Sequence, residues 1–296
     1  MSVIFVFIDG LGVGPPSEHN PLTDTFLSFF SGAGGGQGLH SNSPERDEPG
    51  FIYKKVDANL DVKGLPQSGT GQISLFTGVN ASKIVGRHFG PYPHSRVKYL
   101  LEEQSLFHQV MDAGKTPYFL NAYPEIFFRN SKKRNRWSST TYMARAADIR
   151  LNRIEDLINE TALTAGITQE FWRADLGSDL PVITPEEAAA RVIRQTERYD
   201  LLLFEYYLTD KAGHEQNMKM AQGYLNVIDS FLQALLMSKK ESDTLVVCSD
   251  HGNIENLSVK THTRNPVPLI VAGETESFRE AESILDVTPG IVELLK

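Results

Sequence analysis

The chain contains 296 residues, of which 41 % are apolar and 22 % are charged. At roughly 150 residues per domain, this length predicts about two domains, or one large domain with an insertion. The 37 acidic and 29 basic side chains give a formal net charge of −8. This balance argues against a nucleic-acid-binding protein, because such proteins cluster basic residues against phosphates. We therefore expect no nucleic-acid partner.

The single cysteine, Cys248, excludes an internal disulfide and fits a reducing compartment. The first apolar run has no basic region before it and ends at Asp9, so we do not expect a signal peptide. No apolar stretch approaches the ~18 residues that are needed to span a membrane. These features predict a cytoplasmic protein with no membrane partner, and they leave its oligomeric state open.

Continuous apolar runs predict strands that are buried on both faces of a sheet. These strands are expected at residues 3–8, 118–122, 201–207, 244–248 and 267–272. Apolar side chains at helical spacing, together with capping signals, predict the helices. These helices are expected to begin at 73–77 and to cover 96–113, 184–199, 217–237 and 286–295. The glycine-rich and polar residues 32–50 predict a mobile loop.

Strands that alternate with helices favour parallel β-α-β units and an open α/β sheet. The alternation weakens between residues 123 and 183, where aromatic residues surround the basic run 129–136. We expect a discontinuous α/β core formed by residues 1–89 and 184–296, with a small inserted cap at residues 90–183. The basic run is interpreted first as a solvated face and second as a surface for an anionic substrate.

Acidic and histidine side chains follow three of the predicted strands. Asp9 ends the first strand, Asp210 and His214 follow the strand at 201–207, and the pair Asp250 and His251 follows the strand at 244–248. In open α/β sheets, ligands bind at the carboxyl ends of the strands. We therefore expect these side chains to meet at one edge of the sheet.

The spacing of these residues favours two neighbouring metal ions. Asp210 and His214 are four residues apart, so on a helical turn they can share one ion. Asp250 and His251 are adjacent and point to different sides, which suits two ions better than one. Mixed carboxylate and imidazole ligands bind Zn²⁺ or Mn²⁺ rather than Ca²⁺. His262, in a polar segment before the strand at 267–272, is a weaker candidate on its own.

A glycine-rich segment at 64–72 precedes the helix that begins at 73–77. A hydroxyl at such a helix entrance lies in the positive field of the N-terminus, where backbone N–H groups bind phosphate oxygens. Ser68 and Thr70 both satisfy this condition, and both are candidate nucleophiles. Two metal ions about 4 Å apart stabilise an in-line displacement at phosphorus. The residues therefore favour phosphoryl transfer.

Five segments resemble the alkaline phosphatase superfamily of metalloenzymes, most closely its branch of cofactor-independent phosphoglycerate mutase and phosphopentomutase. The segments lie at residues 7–10, 68–78, 210–214, 249–253 and 262–268, in the order that the family has. The Pro-Gln-Ser-x-Thr-Gly-Gln signature is also similar to that of bacterial metalloenzyme-superfamily proteins. The resemblance implies an alkaline-phosphatase-like three-layer α/β sandwich with a mostly parallel central sheet and a small inserted cap.

The resemblance also implies a role for each matching residue. One divalent ion would be held by Asp210, His214 and His262. The other would be held by Asp9, Asp250 and His251, together with the oxygen of the nucleophile. Counting back along the family motif from Gly78 selects Ser68 as that nucleophile, with Thr70 as the second choice.

Three functions are compared on this basis. The first is a two-metal phosphohydrolase, which acts on a small phosphate ester through a phosphoserine. The second is a phosphomutase that returns the phosphoryl group to its substrate, and the third is a non-catalytic metal-binding protein. The mutase stretch Asn-Ser-Glu-Val-Gly-His is replaced here by residues 67–72, which lack its Glu and His, so hydrolysis is expected. Arg87, His88 and Arg264 are expected to bind the anionic substrate.

Overall fold

The structure is a computed structural model that describes residues 1–134 and 136–296. Asn135, which belongs to the basic run 129–136, lies outside the described residues. The described residues form one seven-stranded sheet. Its strands are β1 (Val3–Ile8), β2 (Arg46–Glu48), β3 (Phe51–Val56), β4 (Pro117–Phe119), β5 (Leu201–Tyr206), β6 (Thr244–Cys248) and β7 (Val267–Ala272).

The sheet has the spatial order β2-β3-β7-β6-β1-β5-β4. Strands β6, β1, β5 and β4 are parallel neighbours. Strand β7 is antiparallel to both β6 and β3, and β2 is antiparallel to β3. Strand β3 therefore points the same way as the four parallel strands, and only β2 and β7 run in the opposite direction within the described sheet. The predicted mostly parallel α/β sheet is confirmed.

Helices connect the strands and cover both faces of the sheet. They are α1 (Ser28–Ala33), α2 (Ser68–Thr77), α3 (Ala81–Val85), α4 (Lys98–Glu103), α5 (Leu106–Asp112), α6 (Glu125–Arg134), α7 (Ser139–Ala146), α8 (Ile154–Ile158), α9 (Glu170–Leu176), α10 (Pro185–Gln195), α11 (Leu208–Glu215), α12 (Met218–Ser238) and α13 (Val287–Leu294). No helix among these combines the length and the apolarity that a membrane-spanning segment requires.

Strand β1 shows why the fold has three layers. Its side chains alternate between two buried apolar clusters, one on each face of the sheet. On one face, the rings of Phe5 and Phe7 meet the Phe76 ring of α2 edge-on, at 6.2 and 5.2 Å between centroids. On the other face, Ile4 and Val6 belong to the cluster that includes the buried side of α12. Apolar residues on both faces bury the strand between two helical layers.

Side-chain caps begin two helices of the C-terminal half, and the cap predicted at residue 184 is confirmed. The Thr184 side chain accepts a hydrogen bond from the Glu187 N–H at 3.2 Å, and the Glu187 carboxylate accepts one from the Thr184 N–H at 2.7 Å. This reciprocal pair starts α10. The Asn217 side chain caps α12 in the same way by accepting from the Met220 N–H at 3.0 Å.

The loop predicted at 32–50 is confirmed between residues 34 and 45, which contain no helix or strand, and is wrong at both ends of the range. Helix α1 extends into this range, and β2 forms a hairpin with β3 whose turn contains Pro49 and Gly50. Gly50 has a φ of 78°, a left-handed conformation that glycine adopts without steric cost. Strand β3 then pairs with β7 along its whole length. The prediction of one continuous helix at 96–113 is wrong, because residues 104–105 separate two helices, α4 and α5.

The division into a core and a cap at 90–183 stays a prediction, but its first boundary falls too early. Strand β4 lies within that range and pairs with β5, so residues 117–119 belong to the central sheet. Beyond β4, a small apolar cluster is separate from the two main clusters. Its members are Ala122, Leu157, Ala162, Trp172 and Leu180.

Candidate metal centre and active site

Polar side chains meet where β1, β5 and β6 end. Asp9 follows β1 directly, Asp210 lies in the first turn of α11 after β5, and Asp250 follows β6 with one residue between. Because β6, β1 and β5 are parallel neighbours, their carboxyl ends lie at the same edge. The side chains that meet there, which we call the polar end of the sheet, are Asp9, Ser68, Asp210, His214, Asp250, His251 and His262.

The first cluster at the polar end surrounds His251. The Nε2 atom of His251 lies 2.9 Å from Ser68 Oγ, 3.3 Å from Asp9 Oδ1 and 3.4 Å from Asp250 Oδ2. All four residues are buried. Ligand atoms of Asp9, Asp250 and His251 lie within 4.8 Å of one another, which is a spacing that one metal ion can bridge.

The second cluster surrounds Asp210. Its Oδ2 lies 3.3 Å from His214 Nε2, and its Oδ1 lies 3.5 Å from His262 Nε2. The two imidazole Nε2 atoms are 3.2 Å apart. The His262 ring also stacks on the His251 ring, at 3.8 Å between centroids, so the two clusters touch. His251, which the sequence assigned to the first cluster alone, therefore faces both.

Backbone carbonyls orient the imidazoles of His214 and His262. The Nδ1 atom of His214 lies 2.7 Å from the Lys260 carbonyl oxygen, and that of His262 lies 2.7 Å from the Pro66 carbonyl oxygen. Carbonyl oxygens only accept, so each Nδ1 carries a proton and the Nε2 of a neutral ring offers a lone pair. Metal-binding histidines are held in this way. The hydrogen bond to Asp210 raises the pKa of His214 to about 8.

Three carboxylate oxygens of the first cluster lack a hydrogen-bond partner in the described part of the chain. Asp9 Oδ1 and both carboxylate oxygens of Asp250 are buried, and they have no hydrogen-bond partner among the described residues. Burial, and then the neighbouring carboxylates, raise the pKa of Asp9 well above its ordinary value and that of Asp250 to about 8. Burial and the nearby His262 lower the pKa of His251 to about 3, so this ring is neutral. Unpartnered carboxylates beside a neutral imidazole fit a divalent cation.

Ser68 is the first residue of α2, and its side chain lies at the positive end of that helix. Its hydroxyl contacts His251 and faces the cavity that is described below. The Thr70 hydroxyl is fully buried and is used structurally, because it accepts a hydrogen bond from the Phe89 N–H at 3.1 Å. Of the two candidate hydroxyls, that of Ser68 therefore lies beside the first cluster and the cavity, whereas that of Thr70 is engaged within the fold.

The glycines that flank Thr70 let α2 approach its neighbours closely. A Cβ atom on Gly69 would lie 2.3 Å from the Tyr92 carbonyl oxygen, and one on Gly71 would lie 3.1 Å from the Asp250 carbonyl oxygen. Only glycine fits at residue 69 without displacing backbone atoms. The glycine-rich sequence therefore serves to press the start of α2 against the end of β6.

Amide side chains fix two of the carboxylates. The Gln72 amide donates to Asp9 Oδ2 at 3.1 Å, and the Asn253 amide donates to Asp210 Oδ1 at 2.6 Å. A carboxylate that is held by a neighbouring donor keeps its orientation toward a metal ion. Neither amide had been singled out from the sequence, although both lie inside the segments that carry the family resemblance.

Glu255 is a buried carboxylate that the sequence analysis missed. It accepts hydrogen bonds from the backbone N–H groups of Gly12 at 3.1 Å and Asn253 at 2.7 Å, and from the Asn265 amide at 3.0 Å. The Thr263 hydroxyl also donates to it. Glu255 thereby links the loops that follow β1 and β6 to the segment before β7. It lies two residues beyond the recognisable motif, and a glutamate in a polar loop gives no sequence signal of this role.

A cavity of about 510 Å³ opens in front of Ser68 and Asp9. Residues Asn121, Phe127 and Trp172 of the predicted insert contribute to its wall, and Glu205 and Tyr207 close it from the end of β5. Burial raises the pKa of Glu205 to about 7, although hydrogen bonds from Thr140 and Tyr123 lower it. The Thr140 hydroxyl donates to Glu205 Oε2 at 2.7 Å. The polar end of the sheet thus faces a pocket that can hold a small molecule.

The structure does not bring the predicted substrate-binding residues Arg87, His88 and Arg264 into this cavity. Arg87 and His88 line a separate depression together with Lys63. His88 is held there by contacts of its ring nitrogens with the Ser82 hydroxyl and the Val62 carbonyl, each at 3.2 Å. A role for these three residues in substrate binding stays a prediction.

A three-layer α/β sandwich with two carboxylate–imidazole clusters at one edge of its sheet is the arrangement of an alkaline-phosphatase-like metalloenzyme. A family model described as "Metalloenzyme superfamily" matches residues 131–296, more than half of the chain. The chain therefore belongs to the metalloenzyme superfamily. The resemblance to the alkaline phosphatase superfamily and to its phosphoglycerate mutase branch is confirmed.

Curated relatives include phosphoglycerate mutases that are independent of 2,3-bisphosphoglycerate. The one from Ehrlichia canis (strain Jake) is 31 % identical over 128 residues, which cover 38 % of this chain and 26 % of that protein. The one from Desulforudis audaxviator (strain MP104C) is 29 % identical over 124 residues, 39 % of this chain and 24 % of that one. The matches thus span about a quarter of the length of these relatives.

Solved structures share the fold across nearly the whole chain. Alkaline phosphatase from the Antarctic bacterium TAB5 has a TM-score of 0.61 and 12 % identity, and the match covers 99 % of this chain and 98 % of that one. Leishmania mexicana phosphoglycerate mutase has a TM-score of 0.51 and 11 % identity, with 99 % and 95 % covered. These similarities establish the architecture of the chain.

Proposed function

We propose that this protein is a metal-dependent phosphohydrolase in which Ser68 attacks a phosphate ester. One observation carries the proposal: the Ser68 hydroxyl lies at the start of α2, 2.9 Å from His251, and faces the cavity. In the reaction, Ser68 Oγ bonds to phosphorus and the ester oxygen leaves as the alcohol. Water then cleaves the phosphoserine and releases inorganic phosphate.

Two divalent ions, Mn²⁺ or Zn²⁺, are proposed as cofactors, because the ligand set suits both. One would be held by Asp210, His214 and His262, and the other by Asp9, Asp250, His251 and Ser68. When bound, such ions stabilise charge on the attacking and leaving oxygens of the phosphoryl group. The protein itself fixes two of the ligands through Gln72 and Asn253, and it buries Asp9, Asp250, His251 and His262.

Hydrolysis is proposed over intramolecular transfer for a reason that lies in the cavity. A mutase must hold its dephosphorylated anionic intermediate, and proteins do this with arginine or lysine. Among the described residues that line the cavity, Lys211 is the only cation. Substrate choice is assigned to the predicted insert, residues 90–183, which supplies most of the remaining wall. A cytoplasmic location also stays a prediction.

The test is phosphate release by the protein loaded with Mn²⁺ or Zn²⁺, measured on a panel of phosphate monoesters and diesters. Ser68→Ala is expected to lower release by about a thousandfold or more, as removal of a nucleophile does in other enzymes. Thr70→Ser is the matched control, because it keeps the hydroxyl that accepts from Phe89, and it should retain activity within about threefold. Release that survives in Ser68→Ala would contradict the proposal.

A further inference from the structure

The wall of the cavity is mostly apolar, and aromatic rings form a large part of it. The rings and the large aliphatic side chains that line it are Tyr92, Tyr123, Phe127, Phe171, Trp172, Leu176, Tyr207 and Leu208. Phe171 and Leu176 are partly exposed, at 38 % and 41 % of their surface, so apolar surface faces the opening. A concave apolar wall beside one reactive polar group is the usual form of a small-molecule site.

Two polar side chains of the wall, Asn121 and Glu205, are engaged by hydrogen bonds within the protein. The Asn121 amide donates to the Glu205 carbonyl oxygen and accepts from the Glu205 N–H, each at 2.8 Å. The Glu205 side chain, only 6 % exposed, accepts from Thr140. These contacts hold a carboxyl group in the wall and engage the oxygen and one N–H of the Asn121 amide.

The charges of the wall oppose a second anionic group on the ligand. Glu205 is acidic, and Lys211 Nζ lies over the Phe171 ring at 5.3 Å from its centroid, at the exposed rim of the wall. Arginine, which recognises carboxylates and phosphates with paired hydrogen bonds, is absent from the described residues that line the cavity. A second carboxylate or phosphate deep in the cavity would therefore be desolvated next to a like charge, with the nearest cation at the rim.

We propose that the substrate is a phosphate ester of an aromatic or apolar alcohol that carries no second anionic group. This inference rests on the proposed function and names its substrate class. The phosphate faces Ser68 and the polar end of the sheet. The organic part packs between Phe127, Phe171 and Trp172, and Glu205 excludes carboxylate-bearing esters such as sugar acid phosphates.

Binding of two phosphonates to the metal-loaded protein tests the proposal without turnover. Phenethylphosphonate and carboxyethylphosphonate share the charged head and differ in the ring that replaces the carboxylate. We expect calorimetry to show that the phenyl compound binds about thirtyfold tighter, within the range that apolar pockets achieve. Phe171→Ala should reduce this preference about fivefold, whereas Tyr99→Ala, a similarly exposed aromatic residue outside the cavity, should leave it unchanged. Glu205→Gln should tighten the carboxylate compound alone.

Equal affinities for the two phosphonates, or a tighter carboxylate compound, would overturn the proposal. An equal loss in Phe171→Ala and Tyr99→Ala would also overturn it, because the ring would then not contact the ligand. Phosphate release by the wild-type protein is scored separately. A protein that prefers the phenyl compound and yet releases no phosphate would contradict the phosphohydrolase while supporting this description of the ligand.

Discussion

The polar end of the sheet and the cavity wall that faces it are positioned by different parts of the chain. The polar end is held by parallel central strands and by buried hydrogen bonds to Glu255 and Gln72. The wall is contributed largely by loops and by helices α6 and α9, which lie between β4 and β5 in the sequence. The candidate metal ligands thus follow strands of the sheet. The wall belongs to a connection between strands, whose sequence can vary without disturbing the sheet.

The two regions also differ in the hydrogen bonding of their buried carboxyl groups. At the polar end, Asp9 and Asp250 keep buried carboxylate oxygens without hydrogen-bond partners among the residues described, an arrangement that favours binding of a cation. In the wall, Glu205 is supported by Thr140, and its backbone is held by Asn121. The difference indicates that the first region is built to bind metal ions and the second to keep its shape. Perturbing each region in turn tests this contrast.

The largest effect is expected at the polar end. Asp250→Asn removes a negative charge that a metal ion would neutralise, so phosphate release should fall by at least about a hundredfold. Adding Mn²⁺ should raise the melting temperature of the wild-type protein by about 5 °C or more, because binding to the folded state alone stabilises it. Asp250→Asn should lose this rise. Calorimetry and thermal melts with and without metal measure both effects.

Asp243→Asn is the matched control for that experiment. Asp243 is as buried as Asp250 and directly precedes β6, at the opposite end of the same strand. It should keep the metal-induced rise, although it loses part of its contact with the Ser2 N–H. An equal loss of the rise in both variants would mean that the polar end does not bind the metal.

An intermediate effect is expected from Glu205 in the wall. Burial raises its pKa from 4.5 to about 7, so its carboxyl contributes stability below pH 4.5 that is lost as the pH rises through 7. Glu205→Gln does not titrate. In metal-free protein, the unfolding free energy of the variant relative to wild type should therefore increase by ~1–2 kcal/mol from pH 5 to pH 8.

Urea titrations at the two pH values measure this change. Glu18→Gln is the control, because it makes the same substitution at a side chain that is 88 % exposed. A Glu205→Gln difference that stays flat between pH 5 and pH 8 would show that the carboxyl is not held in the wall as described.

The smallest effect is expected outside both regions. Arg87 lines the separate depression, so Arg87→Ala should change kcat/KM for phosphate esters by less than about twofold. Lys211→Ala, which removes the cation of the wall, should cause the larger loss. Steady-state kinetics of the two variants compare them directly. A loss of kcat/KM in Arg87→Ala that exceeds the loss in Lys211→Ala would indicate that Arg87 binds the substrate and that the substrate site extends beyond the cavity.

The sequence predicted the polar end well and the wall poorly, for physical reasons. The continuous apolar run Val3–Ile8 predicts a buried strand, and Asp9 directly after it predicts a carboxylate at the end of that strand. The hairpin of β2 and β3 was missed because β2 has only three residues, all charged, and β3 contains two lysines, although Pro49-Gly50 gave a turn signal.

The wall carries no comparable pattern. Phe127, Phe171 and Trp172 lie on short helices, where aromatic residues usually indicate a core, and only the tertiary structure turns them toward one cavity. Glu255 is similar, since its role depends on three loops that meet in space. Residues that act through such convergence give no local signal in a single sequence.

The most direct test of the account is to trap the phosphorylated protein. Metal-loaded wild-type protein is mixed with an aryl phosphate and quenched in acid, and its peptides are analysed by mass spectrometry. The account predicts one added phosphoryl group on Ser68 in the wild-type protein and none on the corresponding peptide of Ser68→Ala. A phosphoryl group on Thr70 or on any other residue, with undiminished phosphate release by Ser68→Ala, would contradict it.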